Sequence, residues 1–290
     1  MAQQASKRKK KKAHIVVRIL KTLLLVFMLC ILAAIAFLFI KVFPDLQSIQ
    51  QHAYETYQHM SEDDFRLVTD TEIFDKDDKQ IGVISSGHHY VYVSSDDISP
   101  WLKKAYVAQE DRRFYNHHGV DWLAIARAGL SYVKHRRVTQ GGSTITQQVI
   151  KNTYLTQERS LKRKFTEILL APKLEKRFGK DKILEFYCNG SFYAHGCYGV
   201  EAASRYYFDK SAKDLEPWEA AVLVGISNRP ATYEPVNHPK NSLRKRNEVL
   251  NSLYRQGDIT AEELAEYKEK PLEIAPQTKV AAATENYQTS

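Results

Sequence analysis

Apolar residues are spread unevenly along the chain, and the first long run of them is nearly unbroken. Thr22 to Ile40 carries no charge and consists mainly of Leu, Ile, Val, Ala and Phe. At about 1.5 Å per residue this run approaches the hydrocarbon thickness of a bilayer. A cleaved signal sequence is the rival reading. Against it, the run is longer than a usual signal core and no small-residue cleavage site precedes Lys41. Residues 22–42 are therefore expected to be a retained membrane helix, with a basic tail over 1–21 before it and a polar stalk over 43–65 after it.

Beyond the stalk the period changes. Glu72-Ile73-Phe74 and Ile81-Gly82-Val83-Ile84 flank the turn-rich Asp75 to Lys79, which predicts a hairpin, and Tyr90-Val91-Tyr92-Val93 predicts a third short strand. Helical spacing dominates from there. Ser99-Pro100 is an N-cap and first-turn pair opening a helix that ends near Glu110. A second helix is expected after Gly141-Gly142, capped by Ser143, with Thr144, Gln147, Gln148 and Lys151 on one face and Ile145 and Val149 on the other. A third starts near Ser160 with Leu161, Phe165, Ile168 and Leu169 as its buried stripe. Further helices follow: a short one at Ile183–Cys188 (capped by Asp181), an apolar one at Trp218–Ile226 and a long basic one at about Asn241–Arg255, with a capping box at Thr260 opening a final short helix. After Pro271 the periodicity ends in what reads as a loose tail.

Charge adds orientation. The 290-residue chain has a formal net charge of +8, and much of the excess lies in Lys7 to Lys12, ahead of the apolar run. That asymmetry keeps the N-terminus cytoplasmic and places the rest outside; lipid headgroups, and not nucleic acid, are the expected contact of the basic arm. Of three cysteines, Cys30 lies in the apolar run, while Cys188 and Cys197 read as two independent core residues or a single pair.

The chemistry is concentrated in blocks. Glu110-Asp111-Arg112-Arg113-Phe114-Tyr115 combines a carboxylate with cations and aromatics; Gly141 to Gln148 is too polar for core; Arg159, Arg163 and Lys164 precede Glu167. Arg163 and Glu167, four apart, form an ordinary helical ion pair on the plainest reading. The functional reading is that Lys151, Arg159, Arg163 and Lys164 surround a phosphate or diphosphate, while separated glutamates do acid–base work. No Walker-type loop marks the anion as a nucleotide.

In order, these blocks resemble the peptidoglycan glycosyltransferases of family 51, found in class A penicillin-binding proteins and in monofunctional cell-wall transglycosylases. Ile183 to Asn189, Tyr198 to Ala203 and Arg229 to Pro235 extend the resemblance, which runs from about Thr71 to Arg255. Tyr193-Ala194-His195-Gly196 departs from the Phe-Gly-x-Gly turn common in the family, and Cys188 replaces a more usual leucine.

The resemblance implies a mainly α, lysozyme-like, two-lobed glycosyltransferase domain over 66–255. A small N-terminal β-hairpin region belongs to it, one transmembrane helix precedes it, and a short helix and tail follow over 256–290. It implies Glu110 and Glu167 as catalytic residues, and Arg113, Ser143, Gln147, Gln148, Lys151, Arg159, Arg163, Lys164 and Asn228 as substrate contacts. The implied substrate is lipid II together with the growing glycan. A divalent cation, magnesium or manganese, is a candidate helper, and no organic cofactor is expected. Transpeptidases or other wall enzymes are candidate partners, in a bacterial membrane. Trp122 to Arg137, apolar and basic in alternation, is the implied membrane contact of the domain. A short sequence after the match leaves no room for a transpeptidase, although truncation of a longer, bifunctional protein stays open. A lytic enzyme of the same polymer and an inactive scaffold are the rivals; the first needs no diphosphate cage, and both glutamates argue against the second.

Overall fold

The computed structural model describes residues 2–66, 70–74, 76, 80–85, 89–135, 141–156, 158 and 160–276. Residues 1–55 form one compact unit and residues 56–290 another. In the first, α1 (Ala2–Phe37) passes through a π-helical turn, Leu38–Val42, into α2 (Phe43–His59), so the expected stalk is helical over most of its length. Arg18–His59 contains the one stretch among the described residues that is long and apolar enough to cross a membrane. Leu23, Phe27 and Phe39 are more than 60% exposed, which suits a lipid surrounding and not water.

The second unit is mainly α. Its strands are short: β1 (Asp70–Phe74) and β2 (Gln80–Ser85) form the antiparallel hairpin, with a bulge at Ile73/Phe74. The expected third strand shrinks to β3 (His89–Tyr90), which pairs in parallel with β4 (Cys197–Tyr198) instead of extending the hairpin.

Two helical clusters carry the core. The first joins α3 (Pro100–Glu110), α8 (Pro217–Asn228) and α10 (Pro239–Gln256). Ser99 caps α3 by accepting from Trp101 N, and Leu102, Ala105, Tyr106 and Ala108 are fully buried. α8 is apolar all round and buried from Ala220 to Ile226, which a helix tolerates only inside a core. Beside it α11 (Ala261–Glu269) follows its Thr260 capping box. The guanidinium of Arg246, 1% exposed, donates to Lys268 O and Lys270 O at 2.7 and 2.6 Å and so closes the end of α11. Arg246→Met orphans those carbonyls and is expected to cost about 2–4 kcal/mol, read as a lowered urea midpoint.

The second cluster packs α5 (Ile145–Tyr154) on α6 (Leu161–Gly190). Two expectations need correction here. Thr144, not Ser143, caps α5: its hydroxyl accepts from Gln147 N at 3.2 Å and Gln147 Oε1 accepts from Thr144 N at 3.0 Å. Thr144-x-x-Gln147 is a reciprocal cap, and Ser143 lacks the matching partner three residues on. On α6 the expected buried stripe is turned outward. Leu161 is 79%, Phe165 47% and Leu169 40% exposed, whereas Thr166, Glu167, Leu170 and Leu174 are buried. α6 also absorbs the expected helix at Ile183–Cys188, across a kink where Gly179 has φ +78°.

The departing turn at residues 193–196 places Ala194, His195 and Gly196 in succession at positive φ. His195 Nε2 lies 3.0 Å from Glu234 Oε2, tying the turn to the segment after α9 (Pro230–Tyr233). Cys188 and Cys197 are buried free thiols, and burial pushes each up to about 12, as two independent core residues require.

Candidate active site

Glu110 is the last residue of α3, where the helix runs out and its side chain is half-buried. Its two oxygens each face an amide: Gln148 Nε2 donates to Oε2 at 3.3 Å and Asn228 Nδ2 to Oε1 at 3.4 Å. The amide of Gln148 is itself oriented, because its carbonyl accepts from the Tyr187 hydroxyl at 3.1 Å. Burial first, and Glu110 after it, push the Tyr187 phenol well above its ordinary value, so it remains a donor. Tyr187 escaped the sequence reading although it lies inside one of the family-like stretches.

Glu167 has the opposite surroundings. It is 3% exposed, with Arg163 Nε 3.3 Å from Oε1 and Lys164 Nζ 2.6 Å from Oε2. Lys164 also donates to Ser143 Oγ at 2.8 Å, which the one-residue shift of the helix cap leaves available. Ser143, Gln147, Gln148, Lys151, Arg163, Lys164 and Glu167 together line one cavity of about 470 Å³. Gln147 Nε2 is buried there with no hydrogen-bond partner, a donor waiting for an acceptor. The Lys151 ammonium is held below the ordinary lysine value by burial; Glu167 opposes that, Arg163 and Lys164 add to it, and Glu110 opposes it further. Both glutamates therefore act on the same lysine. The cavity carries three cations against one buried carboxylate, a surplus that suits a dianionic or more highly charged ligand.

Arg113 lines a different cleft, with Asp121, and shares no wall with the cavity. Arg159 falls outside the described residues. Both Glu167 oxygens face cations, and among the described residues no group of three His, Cys, Asp or Glu side chains could hold a metal.

A buried polar ring behind the site was also missed. Asp111, next to Glu110, accepts from Ile145 N at 3.0 Å and lies 2.9 Å from His117 Nε2. His117 Nδ1 faces Lys180 Nζ at 3.5 Å; Lys180 donates to Glu175 at 2.7 Å; Glu175 accepts from the Thr146 hydroxyl at 2.6 Å. The ring thus grips the first turn of α5 twice and fixes Gln147, Gln148 and Lys151 relative to Glu110. No periodic signal marks pairs separated so far along the chain.

A family model described as Transglycosylase matches residues 77–254. Penicillin-binding protein 1A of Aquifex aeolicus (strain VF5) is 43% identical over 209 residues, covering 72% of this chain and 29% of that protein. Penicillin-binding protein 1F of Bacillus subtilis (strain 168) is 43% identical over 171 residues, covering 59% and 24%. Penicillin-binding protein 4 of the same organism is 35% identical over 240 residues, covering 82% and 38%. The chain spans 24 to 38% of the length of these relatives.

Proposed function

The chain belongs to the transglycosylase family, and on that premise we propose that it is a membrane-anchored peptidoglycan glycosyltransferase that polymerises lipid II. The observation that carries the reading is the double role of Gln148, which lines the cationic cavity and also donates to Glu110. A proton acceptor and a diphosphate clasp are thereby joined through one side chain.

Glu110 takes the proton of the acceptor C4 hydroxyl as that oxygen attacks the anomeric carbon of the donor. The O4–C1 bond forms, the C1–O bond to the lipid diphosphate breaks, and its electron pair leaves on the diphosphate. Attack opposite the leaving group turns an α-linked donor into a β-1,4 product. Lys151, Arg163 and Lys164 meet the growing negative charge in a site already organised for it; Arg159, in the same family-like block of the sequence, is assigned to the same clasp. Glu167 touches no reacting atom in this scheme and holds Arg163 and Lys164 in place. The apolar faces of α4 (Trp122–His135) and of the start of α6 would rest on the bilayer that carries the substrate: Leu130, Val133 and Leu161 are 72, 78 and 79% exposed. Polymerisation of labelled lipid II by the detergent-solubilised full chain tests the reading, and hydrolysis of preformed glycan with no polymer made would replace it by a lytic one.

Lys151 gives a second test, in which function and stability move apart. A lysine whose folded pKa is lowered is bound more tightly to its proton in the unfolded chain. The resulting destabilisation is complete below the folded pKa and is relieved as pH rises toward the ordinary lysine value. Lys151→Met removes it, so at neutral pH the variant is expected to melt at a higher temperature than wild type while polymerising at least about 100-fold more slowly. Calorimetry and the polymerisation assay on one preparation check both signs. The wild-type rate is also expected to fall, on the alkaline side, earlier than an ordinary lysine would dictate.

A further inference from the structure

Arg113, set apart from the cationic cavity, sits in a cleft of about 330 Å³ with Asn116, His118, Asp121, Trp122 and Leu123. Its Nε is buried and makes no hydrogen bond; the nearest carboxylate oxygen, Asp121 Oδ2, is 3.5 Å away. Arg127 Nη2 approaches that same oxygen at 3.9 Å, and the other Asp121 oxygen is spent on Leu123 N and Ala124 N at the start of α4. One acid therefore faces two guanidiniums. The excess extends outward, since Arg112, desolvated by partial burial, is further repelled by Arg255 and Arg127.

Apolar surface begins where these cations end. Trp122 and Leu123 are 64 and 56% exposed, and Leu130 and Val133, further along α4, are 72 and 78% exposed. Leu123, Arg127 and Leu130 are spaced by four and three residues, so the arginine rides the edge of the stripe. An indole and a leucine at the rim of an arginine-lined cleft match the layered chemistry of a bilayer surface, where acyl chains, aromatic belt and phosphate succeed one another within a few ångströms.

We propose that this cleft seats the phosphodiester of an anionic phospholipid, with Arg113, Arg127 and His118 on the phosphate and Trp122 and Leu123 against the glycerol and upper acyl chain. The inference rests on the reading of this domain as working at a bilayer. It gives the domain a lipid contact of its own, separate from the site that takes the diphosphate. A small free anion would leave the apolar rim unused, and a glycan stacked on Trp122 would leave the arginine surplus unused.

The test is lipid retention by native mass spectrometry of the full chain in detergent, which reads bound lipid and not polymer made, so failure of the glycosyltransferase reading leaves it intact. Phosphatidylglycerol, phosphatidylcholine, inorganic phosphate and a β-1,4-linked N-acetylglucosamine tetramer are offered in turn. An arginine near an anionic lipid surface is worth about fivefold in affinity. Arg127→Gln, at a side chain 61% exposed, is expected to weaken phosphatidylglycerol binding about fivefold, and Arg113→Gln with Arg127→Gln about twentyfold. Both variants share the wild-type N-terminal basic arm, so its contribution cancels. Unchanged phosphatidylglycerol binding in both variants overturns the proposal. So does inorganic phosphate binding as tightly as the lipid, or tetramer binding that is lost in Trp122→Ala.

Discussion

Glu110→Gln is expected to lower lipid II polymerisation by about 100- to 10,000-fold while leaving substrate affinity within a fewfold of wild type. The substitution keeps shape and removes the one group in the site placed to take a proton. Both Glu110 oxygens face neutral amides, Gln148 and Asn228, whereas both Glu167 oxygens face cations. That contrast, more than position in the sequence, is why the proposed scheme gives the proton to Glu110. The glutamine carries a single acceptor oxygen between two amide donors, so a modest loss of stability, about 1 kcal/mol, should accompany the loss of rate. Glu167→Gln should behave differently: it frees Arg163 and Lys164 from a buried partner and so disturbs affinity, rate and stability together. Initial rates with labelled lipid II, paired with a binding isotherm for each variant, separate the two patterns. A Glu110→Gln rate within tenfold of wild type would remove that residue from the base role.

Gly119→Ala should be among the costly substitutions for stability. Gly119 has φ +79°, and a Cβ there would lie 2.4 Å from Ala171 C and 2.5 Å from Pro172 N. These are backbone atoms in the body of α6, and they cannot swing aside as a side chain would. The Gly119 carbonyl also accepts from the Thr144 hydroxyl at 2.6 Å, so the forced displacement reaches the cap of α5. Left-handed backbone alone costs an alanine about 1–2 kcal/mol, and the clash raises the total past about 4 kcal/mol, the range of exceptional substitutions. The expected result is a chain without a cooperative melt, or one that melts far below wild type. Gly129→Ala, where a Cβ meets nothing within 4 Å, is the control and should melt as wild type does. An intact transition for Gly119→Ala would mean that the loop before α4 does not press on α6.

Much of this was readable from residues alone, for reasons that differ between elements. α3 announced itself through Ser99-Pro100 and α11 through Thr260 and Glu263, because caps are local chemistry. Gln147, Gln148 and Lys151 were legible as one polar helix face, Arg163 and Lys164 as a charged block before Glu167, and Ser143 as a substrate contact only through the family resemblance; the structure gathers them on one cavity. The stripe on α6 shows where such reading stops. Periodicity identifies an apolar face but not the medium it meets, and Leu161, Phe165 and Leu169 face outward while Glu167 is buried. The α5 cap slipped by one residue because Ser143 and Thr144 are both good caps, and only the partner three positions on decides between them. Arg113 was expected as a substrate contact through the family resemblance, whereas its side chain lines another cleft beside Asp121. The ring of Asp111, His117, Lys180, Glu175 and Thr146 had no periodic signal, since its members meet only when the loop after α3 packs on α5 and α6.

The central proposition is that the cavity beside Gln148 receives the diphosphate of the donor, with Glu110 on the acceptor side of the bond. A structure of the Glu110→Gln variant with lipid II bound addresses it directly. The diphosphate oxygens should lie within hydrogen-bond reach of Lys151 Nζ and of Lys164 or Arg163, and a sugar hydroxyl should face residue 110. A diphosphate bound in another cleft, with the Lys151 cavity left to solvent, would contradict the account.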